Sequence, residues 1–193
     1  MTLSGDIRGK VRAAYTCIAE QPLAIHAVPV GRKLAEDLGY PSDILNVLPA
    51  AAVEAFAGVS DVPLFADLPG GAAVLDLGCG AGMDSLIAGK RAGFVIGIDF
   101  SAAMLDRAQA ASRAEATRNV QFVQAESERL PLRRASIDVA LVNGIFNLNP
   151  DRAAIFAELA RVLRPGGSVY GAELILPRPL PENVKASETD WFA

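Results

Sequence analysis

The run Val74-Leu75-Asp76-Leu77-Gly78-Cys79-Gly80-Ala81-Gly82-Met83-Asp84 constrains this chain more than any other stretch. An apolar, strand-like segment ends in an acid, and three glycines follow at alternate positions. Glycine permits left-handed backbone and close approach of another group to the main chain. A helix opening directly after such a turn presents unpaired N–H groups. A strand, a glycine turn and a helix form the first unit of a parallel α/β sheet.

The rest of the chain from residue 72 repeats that alternation. Strand-like runs occupy 72–78, 94–100, 119–125, 136–144 and 168–176. Helical patterns follow at 82–92, 101–117 and about 150–164, the last opening at Asn149-Pro150-Asp151 and stopping at Arg164-Pro165-Gly166-Gly167. Continuous apolar strands with helical crossovers predict a doubly wound, mostly parallel Rossmann-like sheet with helices on both faces. Its ligand belongs at the carboxyl ends of the strands, where the strand order reverses. Residues 1–70 carry a helical pattern over 6–20 and a shorter one over 31–38. Four prolines (Pro41, Pro49, Pro63, Pro69) then divide a run of short helices and turns. This part reads as an N-terminal helical cap or lid on a core spanning 71–193, the two forming one structural unit.

The turn is not a dinucleotide fingerprint. G-x-G-x-x-G counted from Gly78 puts its third glycine at Met83; counted from Gly80 it puts it at Ser85. Asp76 also repels a pyrophosphate, but suits a ligand with a cationic group and no phosphate. S-adenosyl-L-methionine is such a ligand. Asp99, 23 residues after Asp76 at the end of the second strand, suits both ribose hydroxyls; its alternative role is to cap the next helix. Glu126 suits the adenine amino group, with Glu128 as the alternative. Phe100 and Met104 are placed to pack on adenine.

These residues resemble the class I S-adenosylmethionine-dependent methyltransferases over 72 to about 176: VLDLGCGAGMD, VIGIDFS followed by Met104-Leu105, QAESERLP, SIDVALVNG and RVLRPGG, in order. The resemblance implies that Asp76, Gly78, Gly80 and Gly82 hold the methionine part and Asp99 the ribose. Glu126 and the backbone of Ser127 hold adenine, and Asn143 lies under the methionyl or sulfonium end. Cys79, inside the turn, is counted with these cofactor-contacting residues as a small packing side chain. Tyr15, Tyr40 and Phe146 are candidates to face the sulfonium cation.

Outside the common core, Leu38-Gly39-Tyr40-Pro41, Asn46-Val47-Leu48-Pro49, Val53–Gly58 and Asn143–Pro150 resemble arsenite methyltransferases and related type 11 and ubiquinone/menaquinone C-methyltransferase-like proteins. Arsenite requires converging soft thiolates. The chain has two cysteines. Gly144 and Phe146 stand where a loop cysteine is expected, and Cys17 reads as a buried small residue of the first helix. The expected activity is therefore methyl transfer to a small-molecule acceptor, with arsenite methylation ranked below it. The remaining alternatives are a dinucleotide oxidoreductase and a non-catalytic, dimerising S-adenosylmethionine-binding protein. No residue stands out as a catalytic base.

Composition narrows the partners. The net charge of −4 (18 basic against 22 acidic) argues against a nucleic-acid or anionic-membrane surface. A single histidine and two distant cysteines give no metal-ligand spacing. The charged start TLSGDIRGKVR is unlike a signal peptide and no apolar run reaches membrane-spanning length, so a cytoplasmic location is expected. After Leu176 the 17 residues 177–193 are too few for the final helix and strand pair of the full sheet. The expectation is a C-terminally short sheet whose strand 168–176 is an edge, covered by a partner chain in a homodimer.

Overall fold

A computed structural model describes residues 3–175, with the backbone alone for 3–6; the C-terminal expectations for 176–193 lie outside the described residues. Five strands form a parallel sheet in the order β3-β2-β1-β4-β5. They are β1 (Ala73–Leu77), β2 (Phe94–Asp99), β3 (Val120–Gln124), β4 (Ile137–Asn143) and β5 (Leu163–Ala172). The order reverses between β1 and β4, and among the described residues β5 forms one edge of the sheet.

The alternating side chains of each strand enter different cores. Leu75, Leu77, Ile96, Ile98, Ala140 and Val142 pack against α8 (Arg152–Val162) through Ile155, Leu159 and Val162. Val74, Val95, Val139 and Leu141 face the other way, toward α6 (Met83–Gly89) and α5 (Val62–Phe65). The β3–β4 connection has no helix. It is fastened to α8 instead: Glu158 accepts from the Leu130 N–H at 2.6 Å, and Arg161 donates to the carbonyls of Leu130 and Leu132.

Before β1 come α1 (Leu3–Glu20), α2 (Gly31–Asp37), α3 (Ser42–Val47), α4 (Ala50–Val53) and α5. Tyr40, Leu45, Ala52, Val53 and Phe56 pack on Met83, Leu86 and Ile87 of α6 and on Ala111 of α7 (Ala102–Ala114). Arg107 of α7 clamps this layer, donating to Ala51 O (2.9 Å), Ala19 O (3.2 Å) and Glu54 Oε2 (2.9 Å).

Two expectations change here. Strand β5 starts at Leu163, because Ile137 pairs with Leu163 and Val139 already with Ser168. The Arg164-Pro165-Gly166-Gly167 stop signal is thus a bulge inside the strand, with Gly166 at φ +83°. Cys17 is exposed on α1, not buried; Val11, Ile18 and Ala19 supply the buried face. Among the described residues no helix is long and apolar enough to cross a membrane.

Candidate functional site

The glycine turn is built on β2. The N–H groups of Gly78 and Cys79 both donate to Ile98 O, at 2.8 and 3.0 Å, and Gly82 N–H donates to Cys79 O. Gly80 N–H donates to one Asp99 carboxylate oxygen at 2.9 Å, and Ser101 N–H donates to the other at 2.8 Å. Asp99 is therefore the strut of the turn. The cap of α7 is Ser101, whose hydroxyl accepts from Met104 N–H.

All three glycines have positive φ, but their bare sides face different things. A β-carbon on Gly78 would lie 2.3 Å from Ile145 Cγ2, and one on Gly82 2.8 Å from Phe122 Cζ. At Gly80 it would meet nothing within 4 Å. Gly78 and Gly82 thus admit neighbouring side chains, and Gly80 alone leaves open space. That space belongs to a cavity at the carboxyl ends of β1, β2 and β4, on the switch point of the sheet.

Asp76, Gly78, Cys79, Gly80, Asp99, Phe100, Met104, Glu126, Ser127 and Asn143 all line the cavity; Gly82 does not. The cap closes the other side with Arg8, Val11, Arg12 and Tyr15 of α1 and with Phe56, Ala57 and Gly58. Of the three aromatic candidates, Tyr15 lines the cavity. Tyr40 does not: its ring meets Phe56 edge-on at 5.2 Å, inside the packed layer. Phe146 does not either, since it stacks on Phe156 at 4.7 Å.

Asn143 lines the cavity, yet its amide is already engaged. Its Oδ1 accepts from Val59 N–H (2.8 Å) and Ser60 N–H (3.2 Å). Its Nδ2 donates to Ser60 O (2.7 Å) and Asp84 Oδ2 (2.9 Å). Tyr40 donates to Asp84 Oδ1 at 2.6 Å. Asn143 and Asp84 therefore fix the turn at 58–60, of which Gly58 lines the cavity beside Phe56 and Ala57. Sequence reasoning missed this use of Asp84, although Asp84 closes the glycine motif itself.

Three buried carboxylates surround the turn: Asp76, Asp84 and Asp99. Asp76 accepts from the Ser85 hydroxyl at 2.5 Å, and among the described residues the hydrogen-bond donors to the three are neutral. None is in an ion pair among the described residues. Burial pushes the Asp99 carboxyl up to about 6 against the downward pull of its backbone donors. Burial, then the Asp84 charge, raises Asp76; burial also raises Asp84, over the opposing hydrogen bonds from Tyr40 and Asn143. The Cys79 thiol is pushed up as well, by burial and then by the Asp99 and Asp76 charges, so it is held as a thiol.

A pH dependence follows. Carboxyls raised on folding add stability that is full below their unfolded value and is lost as pH rises through the folded one. Glu128, Asp138 and Glu158 are lowered instead and are ionised throughout pH 5–8, so they add no slope there. The ligand-free protein should lose roughly 2–2.5 kcal/mol of stability through Asp99 alone between pH 4 and 8, about 1.4 kcal/mol of it between pH 5 and 8. Melting followed from pH 5 to 8 should show a midpoint falling by roughly 3–5 °C through Asp99, and further through Asp76 and Asp84. A flat or rising midpoint contradicts it.

Comparison with known proteins gives the family and the fold. A family model described as a methyltransferase domain matches residues 69–192. The arsenite methyltransferase of Halobacterium salinarum is 33% identical over 154 residues, covering 78% of this chain and 39% of that protein. The demethylmenaquinone methyltransferase of Lactococcus lactis is 37% identical over 110 residues, covering 55% and 44%. The chain thus spans about two fifths of the length of these relatives. The crystal structure of an arsenic (III) S-adenosylmethionine methyltransferase from Chlamydomonas reinhardtii superposes with a TM-score of 0.59 at 28% identity, covering 80% of this chain and 52% of that one.

Proposed function

Because the chain belongs to the methyltransferase-domain family of S-adenosylmethionine-dependent enzymes, we propose that its cavity binds S-adenosyl-L-methionine and that it transfers the methyl group directly to a small-molecule acceptor. The observation that carries this reading is the buried carboxylate set, which has only neutral hydrogen-bond donors and surrounds the open side of Gly80. Uncompensated buried negative charge favours a cationic ligand and opposes a pyrophosphate. When bound, S-adenosylmethionine supplies an electrophilic methyl group on a sulfonium.

Asp76 would receive the ammonium end, and Gly80 lets that end approach the backbone. Asp99 has lone pairs beyond those used by Gly80 and Ser101 and would accept from the ribose hydroxyls. Phe100 and Met104 would pack on adenine, and Glu126 with the Ser127 backbone would meet its amino edge. Asn143 acts by holding the 58–60 wall, and Tyr15 closes the cavity from α1. Enclosure by α1 and the 57–60 segment excludes water and aligns an acceptor that brings its own nucleophile. This needs no protein base.

Arsenite as acceptor fits less well within this chain. Cys17 is exposed and does not line the cavity, and Cys79 is a buried thiol on the cofactor side. Gly144 and Phe146 occupy the β4–α8 loop without a sulfur.

The test is calorimetric titration with S-adenosylhomocysteine and, separately, NAD. Binding of the first at micromolar level and no detectable binding of the second is expected. Absence of S-adenosylhomocysteine binding sinks the reading.

A further inference from the structure

Glu126, at the adenine end of the cavity, already has a cationic partner. Arg12 of α1 donates to Glu126 Oε1 at 2.5 Å. The same guanidinium lies over the Phe100 ring, 5.3 Å from its centroid. One turn earlier, Arg8 pairs with Glu128. The two groups placed to receive adenine are thus covered by one side chain from the cap.

The rest of α1 is held differently. Its C-terminal end is packed: Ile18 and Ala19 are buried with Ala55, Ala81 and Met104, and Arg107 holds the Ala19 carbonyl. Its N-terminal half meets the core rim through Arg8 and Arg12. The side chains of Arg12 and Glu126 are each 51% exposed, so water and salt compete with their pairing. The apolar packing of α1 is concentrated toward Ile18 and Ala19, so the Arg8–Arg12 turn, held by the buried Val11 and two ion pairs, is the part that lifts from the rim.

We propose that Arg12 is a built-in competitor for the adenine end of the cavity: it latches α1 shut by occupying Glu126 and the Phe100 face, and it must leave both when the nucleoside enters. The inference rests on the cofactor reading above. The latch lowers affinity by the population of the open state, and it slows entry.

The experiment compares wild type with Arg12→Ala and Arg12→Gln, using S-adenosylhomocysteine as the probe. At about 50 mM salt each variant should bind roughly three- to tenfold tighter, with faster association. The gap should close by roughly 0.5 M salt, where the wild-type pair is screened. Amide exchange of the ligand-free protein should be faster over residues 8–15 in the variants and unchanged in β1 and β2. Weaker binding by the variants would mean that Arg12 stacks on the bound nucleoside, and it overturns the proposal. Equal affinity across the three proteins overturns it too. If no protein binds the probe, the cofactor reading fails; binding with unchanged salt dependence defeats the latch alone.

Discussion

Asp99→Ala is expected to weaken S-adenosylhomocysteine binding by about 100-fold or more. Two losses combine. The proposed ribose acceptor disappears, and hydrogen bonds to a charged group contribute about 1.5–3 kcal/mol each. The strut that ties Gly80 N–H to Ser101 N–H also disappears, so the turn loses its fixed shape. Stability should change far less, because removing the carboxylate also removes the cost of burying it. Asp99→Asn keeps one accepting oxygen but turns an NH2 toward the other backbone N–H, so it holds the turn by one bond only, and should fall between, about tenfold weaker. Calorimetry and a thermal melt on the same samples read both effects. Near-wild-type affinity in Asp99→Ala would show that the ribose lies elsewhere.

Two substitutions two residues apart should behave in opposite ways. Gly78→Ala puts a methyl 2.3 Å from Ile145 Cγ2 on a backbone at φ +76°. The left-handed backbone costs about 1–2 kcal/mol and the overlap a further 1–3. A fall in melting midpoint of roughly 5–15 °C is expected. Gly80→Ala, at φ +51°, meets nothing within 4 Å and bears only the backbone cost. Its methyl group enters the space that the ligand needs, so affinity should drop about tenfold while the midpoint moves only a few degrees. The crossed pattern is the diagnostic. If both variants lose stability alike and bind alike, the division of labour within the turn is wrong.

The sheet was readable because its signals are local: apolar runs, crossover patterns and a turn with its own chemistry. Asp76, Asp99, Gly78 and Gly80 could be placed on the cavity rim by position alone, since a strand end and the turn after it share one rim, whereas Gly82 is taken up by Phe122 and Ala108. The misplacements arise where side chains choose between distant partners. Tyr40 turns inward because Phe56 and Asp84 receive it, 16 and 44 residues away. Phe146 is taken by Phe156, on the next helix. Arg12 and Glu126 are 114 residues apart, and nothing in either neighbourhood announces the pair. Cys17 was assigned inward because cysteine is commonly buried, while Ile18 and Ala19 next to it set the true face. The start of β5 was hidden by Pro165 and two glycines, which look like a stop but serve as a bulge.

Ile145 filling the slot over Gly78 has a consequence for redesign. The loop that carries Ile145 also carries Leu148 and Asn149, which line the same cavity, Asn149 donating to Ser127 Oγ at 3.2 Å. Remodelling that loop for a new acceptor removes the plug from the methyl-donor turn. A smaller residue at 145 leaves a hole beneath the glycine, and a larger one pushes the turn toward the donor. Substitutions at 78 and 145 should therefore be strongly non-additive. Within the family the two positions should change in company, small with large. Any change to that loop is thus made on a surface that the glycine turn already partly claims.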